Sequence, residues 1–429
     1  MKAIKELKPA TPAAVAAELQ LARAIEQTVV ALRGSRAVTV VLNDPQRGTA
    51  SETVLSPLAA ALPGVRWRAL IATGSHHFHP ARVAEFERRL RQLLPLDRIA
   101  WHDCLARELI EVGVPKADIP GIPKPGTSGL GAPLGVPLPG EGGPQSRYLG
   151  FGDPAPWRCH RWLLEDDQAL LAIGSSEPHY FAGVTGAHKT ASIGCADYGS
   201  IQRNHSAALS ERARPGALEG NPVHEGIAAM VRSLEARREV LAVNLLQIGP
   251  TVAAGTFGRP LEALRRIAPL VRACCFCRIP APAEALVLDV TGPLGVSFYQ
   301  ADKGIKNSEY AVRDGGALIL VADCPDGVGQ NEFLRLLRRC PTYEGIAQAV
   351  QQDGYRLGDH KAVKLRHLAD RRGVRVFAVS DGLSATDAEL LGLTPAQSVD
   401  SALAAAGIDP GGEGVYRVAD AGNTCVIVA

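Results

Sequence analysis

The sequence has no excess of charge of one sign and no apolar segment that suggests a membrane protein. Its 429 residues include 46 Lys and Arg against 44 Asp and Glu, which leaves a formal net charge of only +2. This balance predicts no broad surface for nucleic acid or an anionic membrane, so an anionic ligand must be held locally. A long uncharged run, residues 240–258, contains Asn244, Gly249 and Pro250, which favours a buried strand and turn over a membrane span.

Several motifs are missing, and each absence weakens one class of enzyme. There is no Walker A sequence, no GxGxxG fingerprint after the first strand and no GxSxG elbow, which argues against NTPases, ordinary nicotinamide dehydrogenases and serine hydrolases. The N-terminal segment is charged and helix-like and lacks the apolar core of a secretory signal. The nine cysteines are an odd number, which favours free thiols in a reducing compartment. We therefore expect a cytoplasmic protein.

Two series of short apolar runs predict the fold class, which is α/β with two α/β domains and the active site in the interdomain cleft. Runs of the first series precede small or polar residues and then helix-like stretches, and a second series begins after residues 278–282. We predict an N-terminal domain over residues 1–279, a smaller C-terminal domain over 280–415, and a strand segment over 416–429 that can return to the first domain. The Gly- and Pro-rich residues 120–156 are predicted to form a surface segment.

The densest cluster of reactive side chains covers residues 177–189. It holds His179, His188 and Lys189 among small residues, and His205 follows shortly after. Small residues let a backbone approach a ligand closely, so a base, a cation and metal-capable imidazoles could converge there. The alternative is an exposed loop with a stray lysine.

Two further clusters invite a metal interpretation. Residues 76–79 contain three histidines at a predicted strand-to-helix turn, but a continuous run cannot aim every ring at one ion. One catalytic imidazole with two solvated or supporting neighbours is the favoured interpretation. The thiols of Cys274, Cys275 and Cys277 have no partner pair at metal-binding spacing, so they are interpreted as buried structural residues.

Two smaller sets complete the candidates. Asp44 and Arg47 follow the first predicted strand, where a carboxylate and a guanidinium can orient a hydroxyl-bearing anion. The part of the chain with the second series of apolar runs offers a phenol, an amide and an ammonium group, on Tyr299, Gln300 and Lys303. Each set alone is equally typical of a solvated turn.

Taken in order and spacing, these sets resemble the nickel-pincer-nucleotide lactate racemase family of 2-hydroxyacid racemases and epimerases. The family pattern is an Asp-x-x-Arg loop, a Thr-Gly-x-His turn, a Pro-His…Ala-Gly…Lys segment, a later histidine and a Tyr-Gln-x-x-Lys motif. The matching residues are Asp44 and Arg47; Thr73, Gly74 and His76; Pro178, His179, Ala182, Gly183 and Lys189; His205; and Tyr299, Gln300 and Lys303.

The resemblance implies a role for each matching residue. Lys189 would tether the cofactor, a nickel pyridinium-3,5-bisthiocarboxylic acid mononucleotide, through a thioamide, and His205 would bind the nickel. The paired acid/base residues would be His76 and His179. The remaining cofactor-binding residues would be Asp44, Thr73, Gly74 and Gly183, and the substrate-binding residues Arg47, Tyr299, Gln300 and Lys303. The resemblance also implies two kinds of partner, a small 2-hydroxy acid and the enzymes that synthesise the cofactor.

The resemblance implies racemisation or epimerisation of a 2-hydroxy acid by reversible hydride transfer to the cofactor, through a 2-keto acid. Three departures from the family pattern predict a substrate range not restricted to lactate: Gln46 in the first loop, His77 after the catalytic histidine, and Thr-Gly-Ala-His-Lys over residues 185–189. Aromatic residues flank the candidate bases and substrate motif, which predicts tolerance of apolar side chains larger than methyl; they are Phe78, Tyr180, Phe181 and Phe298.

Two other functions fit the same residues. A zinc-dependent hydrolase could use the histidines of residues 73–79 with Glu177 as general base. A non-catalytic binding protein could hold an anionic small molecule between two lobes. Bound nickel with a sulfur-rich chromophore would favour the racemase, and bound zinc the hydrolase.

Overall fold

The computed structural model describes residues 4–113 and 156–429. The Gly- and Pro-rich segment predicted over 120–156 lies outside this range except for its last residue. The strands are β1 (Lys5–Leu7), β2 (Ala37–Asn43), β3 (Arg66–Ala72), β4 (Leu96–Trp101), β5 (Ile110–Val112), β6 (Trp157–Cys159), β7 (Ala169–Ser175), β8 (Pro178–His179), β9 (Gly183–Val184), β10 (Leu241–Ile248), β11 (Thr251–Gly258), β12 (Phe276–Ile279), β13 (Ala283–Asp289), β14 (Val312–Val321), β15 (Arg375–Val379), β16 (Leu393–Pro395), β17 (Val415–Val418) and β18 (Cys425–Val428).

Helices connect most of these strands. They are α1 (Leu21–Leu32), α2 (Glu52–Ala61), α3 (Pro80–Leu93), α4 (Ala187–Thr190), α5 (Tyr198–Ser206), α6 (Pro222–Glu235), α7 (Pro260–Cys275), α8 (Phe298–Ser308), α9 (Leu334–Arg339), α10 (Tyr343–Asp353), α11 (Asp359–Arg366), α12 (Ala385–Leu391) and α13 (Val399–Ala406). No helix in the two described ranges is long and apolar enough to cross a bilayer.

The first six-stranded sheet has the order β11-β10-β7-β2-β3-β4 and is parallel except for β11. Successive residues of β2 face two different cores, with Val40 and Leu42 in one and Val41 in the other. A parallel sheet covered on both faces needs this nearly continuous apolar sequence. The strand order reverses direction between β2 and β7, and ligands of open α/β sheets bind at such a reversal, beyond the carboxyl ends of the strands.

The second six-stranded sheet has the order β1-β17-β13-β14-β15-β16 and is parallel throughout. Its strand β13 also feeds two cores, since Leu286 and Leu288 pack on one side and Ala285 and Val287 on the other. The carboxyl end of β13 leads through a short turn into α8. Helix α8 carries the candidate residues Tyr299, Gln300 and Lys303.

The two sheets confirm the predicted α/β class with two α/β units. One feature departs from the sequence-based interpretation of the N-terminal segment as helix-like, because Lys5–Leu7 form β1 and pair with β17 in the second sheet. The two strands of the C-terminal segment lie in different sheets. Strand β17 belongs to the second six-stranded sheet, whereas β18 pairs in parallel with β12, which ends at Ile279. These pairings are long-range, so local sequence did not reveal them. The domain boundaries themselves stay a prediction.

The hairpin of β8 and β9 brings the sequence after β7 back over the end of the first sheet. Gly183 in this hairpin has a φ of 78°. A Cβ atom built on it would lie 1.9 Å from the carbonyl oxygen of Ala217. Both the left-handed backbone and the close approach therefore require glycine at this position.

We predict that Gly183→Ala lowers the free energy of unfolding by about 3 kcal/mol, from left-handed strain and overpacking together. The matched control is Gly64→Ala, where φ is 91° and no atom lies within 4 Å of the added Cβ; it should cost about 1 kcal/mol. Urea denaturation of both variants measures the difference. Equal losses would show that the Ala217 contact does not constrain the hairpin.

Candidate active site

A cleft between the two sheets encloses about 940 Å³ of empty space, including its open mouth. The part of the chain that forms the first six-stranded sheet, here called the first half, lines it with the loops after β2, β3 and β7 and with α5. The part that forms most of the second sheet, here called the second half, lines it with α8 and α11. Side-chain bonds join the halves beside it: the amide of Gln300 donates to Oε1 of Gln46 over 2.9 Å, and that of Gln330 to the Ser75 carbonyl over 2.8 Å.

The cleft gathers eleven of the twelve residues that the sequence nominated. They are Asp44, Arg47, Thr73, Gly74, His76, His179, Lys189, His205, Tyr299, Gln300 and Lys303. Gly183 does not line the cleft, and its contact with Ala217 gives it a conformational role. The individual chemical roles stay predictions.

His76 is held by the carboxylate of Asp44, whose Oδ2 lies 2.9 Å from Nδ1 of the ring. The other carboxylate oxygen accepts from the backbone N–H of Gln46 over 2.9 Å, which fixes Asp44 at the start of the turn after β2. An ionised carboxylate only accepts hydrogen bonds, so Nδ1 of His76 carries the proton. Nε2 of His76 therefore has a lone pair and can act as a base.

His179 has the opposite tautomer. Its Nδ1 accepts from the backbone N–H of Ala182 over 3.2 Å, so the hydrogen of the neutral ring is on Nε2. Burial, reinforced by the nearby charges of Lys189 and Arg47, holds the pKa of His179 well below its usual value. The cleft thus has one imidazole with a free lone pair and one with a hydrogen to donate.

Cations crowd the same space. Burial lowers the pKa of the Lys189 amine well below its usual value, and the charges of Arg47 and Lys303 add to this effect. The pKa of Lys303 is lowered for the same reason, first by burial and then by Arg47. A desolvated amine of lowered pKa is a nucleophile near neutral pH. Together, the basic side chains of Arg47, Lys189 and Lys303 favour the binding of an anionic ligand.

The imidazole of His205 is oriented by its neighbour on α5. Nδ1 of His205 lies 3.2 Å from Oδ1 of Asn204, whose amide donates to the Val223 carbonyl over 2.9 Å. The Val223 carbonyl fixes the amide orientation, so His205 must donate from Nδ1. Burial lowers the pKa of His205 to about 3, with further contributions from the charges of Lys189 and Arg47. His205 is therefore neutral with a free Nε2 lone pair, the form that binds a metal ion.

The second half supplies cleft residues that the sequence only partly revealed. His360 and Lys361 line the cleft. Lys361 donates to Asp302 over 3.0 Å and to the Tyr299 carbonyl over 2.9 Å. Asn204 and Tyr355, which contact the rings of His205 and His360, carried no sequence signal because neither belongs to a motif.

The aromatic residues expected beside the substrate divide into two pairs. Tyr180 and Phe181 line the cleft. Phe298 is instead buried in the core of the second sheet, and Phe78 packs against Trp101 with ring centroids 5.4 Å apart. Phe78 also lies beside the candidate base His76, with ring centroids 6.4 Å apart, but neither Phe78 nor Phe298 lines the cleft. An aromatic side chain beside a polar motif can equally fill a core.

The three histidines of residues 76–79 do not form a shared site. His77 is exposed, and Nδ1 of His79 accepts from the backbone N–H of Ala81 at the start of α3. Within the two described ranges, no group of three or more His, Cys, Asp or Glu side chains could hold a metal ion. The three rings therefore do not converge on one ion, as the zinc hydrolase interpretation would require. Cys274 and Cys275 are buried among apolar residues of the first half, and Cys277 is partly buried.

Comparison with known families matches both halves of the chain. A model of the lactate racemase N-terminal domain matches residues 158–216, and a model of the lactate racemase C-terminal domain matches residues 281–427. The first match covers the segment with Lys189 and His205, and the second covers Tyr299 through Lys303.

Individual relatives agree with these matches. The chain is 28% identical over 200 residues to a lactate racemase from Thermoanaerobacterium thermosaccharolyticum and 30% identical over 172 residues to one from Lactiplantibacillus plantarum. These alignments span 45% and 39% of the two relatives' own lengths. Among solved structures, the lactate racemase apoprotein from T. thermosaccharolyticum has a TM-score of 0.74 at 19% identity, covering 99% of this chain and 94% of that one. A protein from Thermotoga maritima has a TM-score of 0.68 at 16% identity, covering 96% and 99%. The two structures support the fold.

We predict that Lys189 of the apoprotein reacts readily with a small acylating reagent, acetic anhydride, at pH 7. Arg47→Gln removes a positive charge, which raises the pKa of Lys189 and slows its acylation by about 3- to 10-fold. Peptide mass spectrometry measures the rate against exposed Lys8. Arg98→Gln, on an exposed residue outside the cleft, is the control and should leave the rate unchanged. Faster acylation in Arg47→Gln would contradict the charge argument.

Proposed function

The chain belongs to the lactate racemase family, and from this premise we propose that it interconverts the enantiomers of a 2-hydroxy acid through a 2-keto acid. The observation that carries the proposal is the pair of opposite histidine tautomers in one cationic cleft. Interconversion requires removal of a hydroxyl proton from one enantiomer and return of a proton to the other. A single histidine cannot serve both stereochemical faces.

The side chains of the cleft divide this work. Arg47 and Lys303 bind the substrate carboxylate. The guanidinium offers a bidentate fork, and the negative charge of the carboxylate favours the protonated form of the Lys303 amine. Nε2 of His76, turned toward the cleft by the contact of Nδ1 with Asp44, accepts the hydroxyl proton of one enantiomer, and the Asp44 carboxylate stabilises the imidazolium that forms. On the other face, His179 returns a proton as an imidazolium and becomes neutral again, with its remaining hydrogen on Nε2. Proton exchange with water then restores His76 to the neutral form and His179 to the imidazolium. Tyr299 and Gln300 complete the substrate side from α8.

The donor set of the cleft fits a nickel-pincer nucleotide. Such a group needs few protein ligands, and His205 offers a neutral imidazole whose Nδ1 is bound to Asn204 and whose Nε2 lone pair is free. The Lys189 amine has a lowered pKa that suits covalent attachment through a thioamide. When bound, the group would supply a hydride acceptor for C2 of the substrate. The cofactor-synthesis enzymes would then be partners of this protein.

A substrate range wider than lactate is also part of the proposal. Of the three departures from the family pattern, His77 is exposed and does not line the cleft. In the segment 185–189, His188 on α4 is fully buried, whereas Thr185 and Gly186 line the cleft. Gln46 also bears on the cleft, because it accepts from Gln300 of the cleft wall. Tyr180 and Phe181 add aromatic surface. These contacts support 2-hydroxy acids with side chains larger than methyl.

We place the protein in the cytoplasm. All nine cysteines are free thiols, seven of them buried. Free thiols persist in a reducing compartment.

Racemisation by protein made alongside the cofactor-synthesis enzymes tests the function directly. Chiral chromatography should show interconversion of lactate or 2-hydroxyisovalerate, and a 2-deuterated substrate should keep its label because the hydrogen of C2 does not pass to water. His76→Ala and His179→Ala should each reduce racemisation by at least about 10²-fold, the usual contribution of a general base. Nickel- and cofactor-loaded protein without racemisation of any 2-hydroxy acid would refute the proposal.

Nickel content tests the assignment of His205 and its orientation. His205→Ala should lose the metal, and Asn204→Leu should weaken retention by about 10- to 100-fold because the ring is no longer oriented. Gln202→Leu is the control on the same helix, since Gln202 contacts Leu357 and not His205. Plasma emission spectrometry after dialysis measures the metal. Full nickel in His205→Ala would show that another group binds it.

A further inference from the structure

A buried chain of three side chains runs from the second half to the cleft. The hydroxyl of Tyr355 lies 2.7 Å from Nδ1 of His360, and Nε2 of His360 lies 3.0 Å from the hydroxyl of Tyr180. Tyr180, Tyr355 and His360 are only 4%, 6% and 2% exposed. Tyr180 and His360 also line the cleft, and Tyr180 stacks on His179 at 5.2 Å between ring centroids.

Donor and acceptor requirements give this chain a direction. The Tyr355 oxygen accepts from the backbone N–H of Gly358 over 3.3 Å. In the described part of the chain, the one acceptor that faces the Tyr355 hydrogen is Nδ1 of His360. A buried hydroxyl hydrogen needs an acceptor, so Tyr355 donates to His360. His360 is kept neutral by burial, which lowers its pKa well below the usual value, and its hydrogen is therefore on Nε2.

Nε2 of His360 then donates to the oxygen of Tyr180. The hydroxyl hydrogen of Tyr180 is left for a partner on the cleft side, since its oxygen already accepts from His360. We propose that Tyr180 is a hydrogen-bond donor to an oxygen atom of the bound 2-hydroxy acid, and that His360 and Tyr355 are positioning residues that fix the direction of its hydroxyl. This inference rests on the proposed function for the identity of the ligand.

The position of Tyr180 supports the assignment. Its ring is nearly parallel to that of His179, with 8° between the planes. Its ring lies 5.4 Å from the ammonium of Lys361, and that ammonium is already bound to Asp302. The Tyr180 phenol beside the acid/base histidine adds a neutral donor to a cleft that also holds the basic side chains of Arg47, Lys189 and Lys303. A neutral hydrogen-bond donor distinguishes ligands by whether they place an acceptor in the direction of its hydrogen, more than by their charge.

The direction of the chain can be measured without any cofactor. Long-range ¹H–¹⁵N NMR of the apoprotein, labelled at histidine and assigned with His360→Gln, should show His360 protonated at Nε2. Tyr355→Phe removes the donor to Nδ1 and should shift the ring toward the Nδ1-protonated form. An Nδ1-protonated His360 in the unaltered protein would overturn the proposal, whether or not the protein is a racemase.

The ligand contact is tested on the cofactor-loaded enzyme and on the apoprotein. Tyr180→Phe should lower kcat/KM for 2-hydroxyisovalerate by about 10- to 100-fold, and calorimetry should show a similarly weakened binding of the same acid to the apoprotein. Tyr355→Phe should lower kcat/KM less than Tyr180→Phe does. Tyr416→Phe, in the second sheet away from the cleft, is the matched control and should match the unaltered protein. Unchanged kcat/KM and unchanged binding in Tyr180→Phe would overturn the contact, while loss of racemisation in every protein tested would overturn the proposed function alone.

Discussion

Arg47, Lys189 and Lys303 share one cleft, where each loses hydration and repels the others. Two of these residues come from the first half of the chain and Lys303 from the second, so the approach of the halves brings like charges together. An anion in the cleft would contact cations from both halves at once and stabilise their arrangement through mass action. The carboxyl ends of both parallel sheets point to this space, which is why short loops suffice to build it.

The same burial determines the state of the histidines. His179, His205 and His360 all have lowered pKa values, with desolvation as the largest cause. Neutral imidazoles are not interchangeable, because each has one donor and one acceptor nitrogen whose assignment depends on a neighbour. Here the neighbours differ: a backbone N–H for His179, an amide oxygen for His205 and a phenol for His360. Local contacts thus give similar side chains different chemistry.

The sequence predicted the strands and the motifs at their ends far better than the contacts between motifs. The apolar runs at 38–42 and 67–71 lie inside β2 and β3, because a strand buried on both faces has a plain apolar signal. Asn204 escaped notice because its effect on His205 depends on the Val223 carbonyl, which only the folded chain brings near. Phe298 was misplaced because sequence does not distinguish a core face from a cleft face of α8.

The pairing of β1 with β17 has a consequence for synthesis of the chain. Lys5 pairs with Tyr416, so β1 leaves the ribosome long before the strand with which it pairs has been synthesised. At 5–20 residues per second this delay is roughly 20 to 80 s. Contacts of such sequence separation form late and slowly. The strand is only three residues long, and Lys5 and Glu6 are exposed, which limits pairing with other nascent chains during the delay.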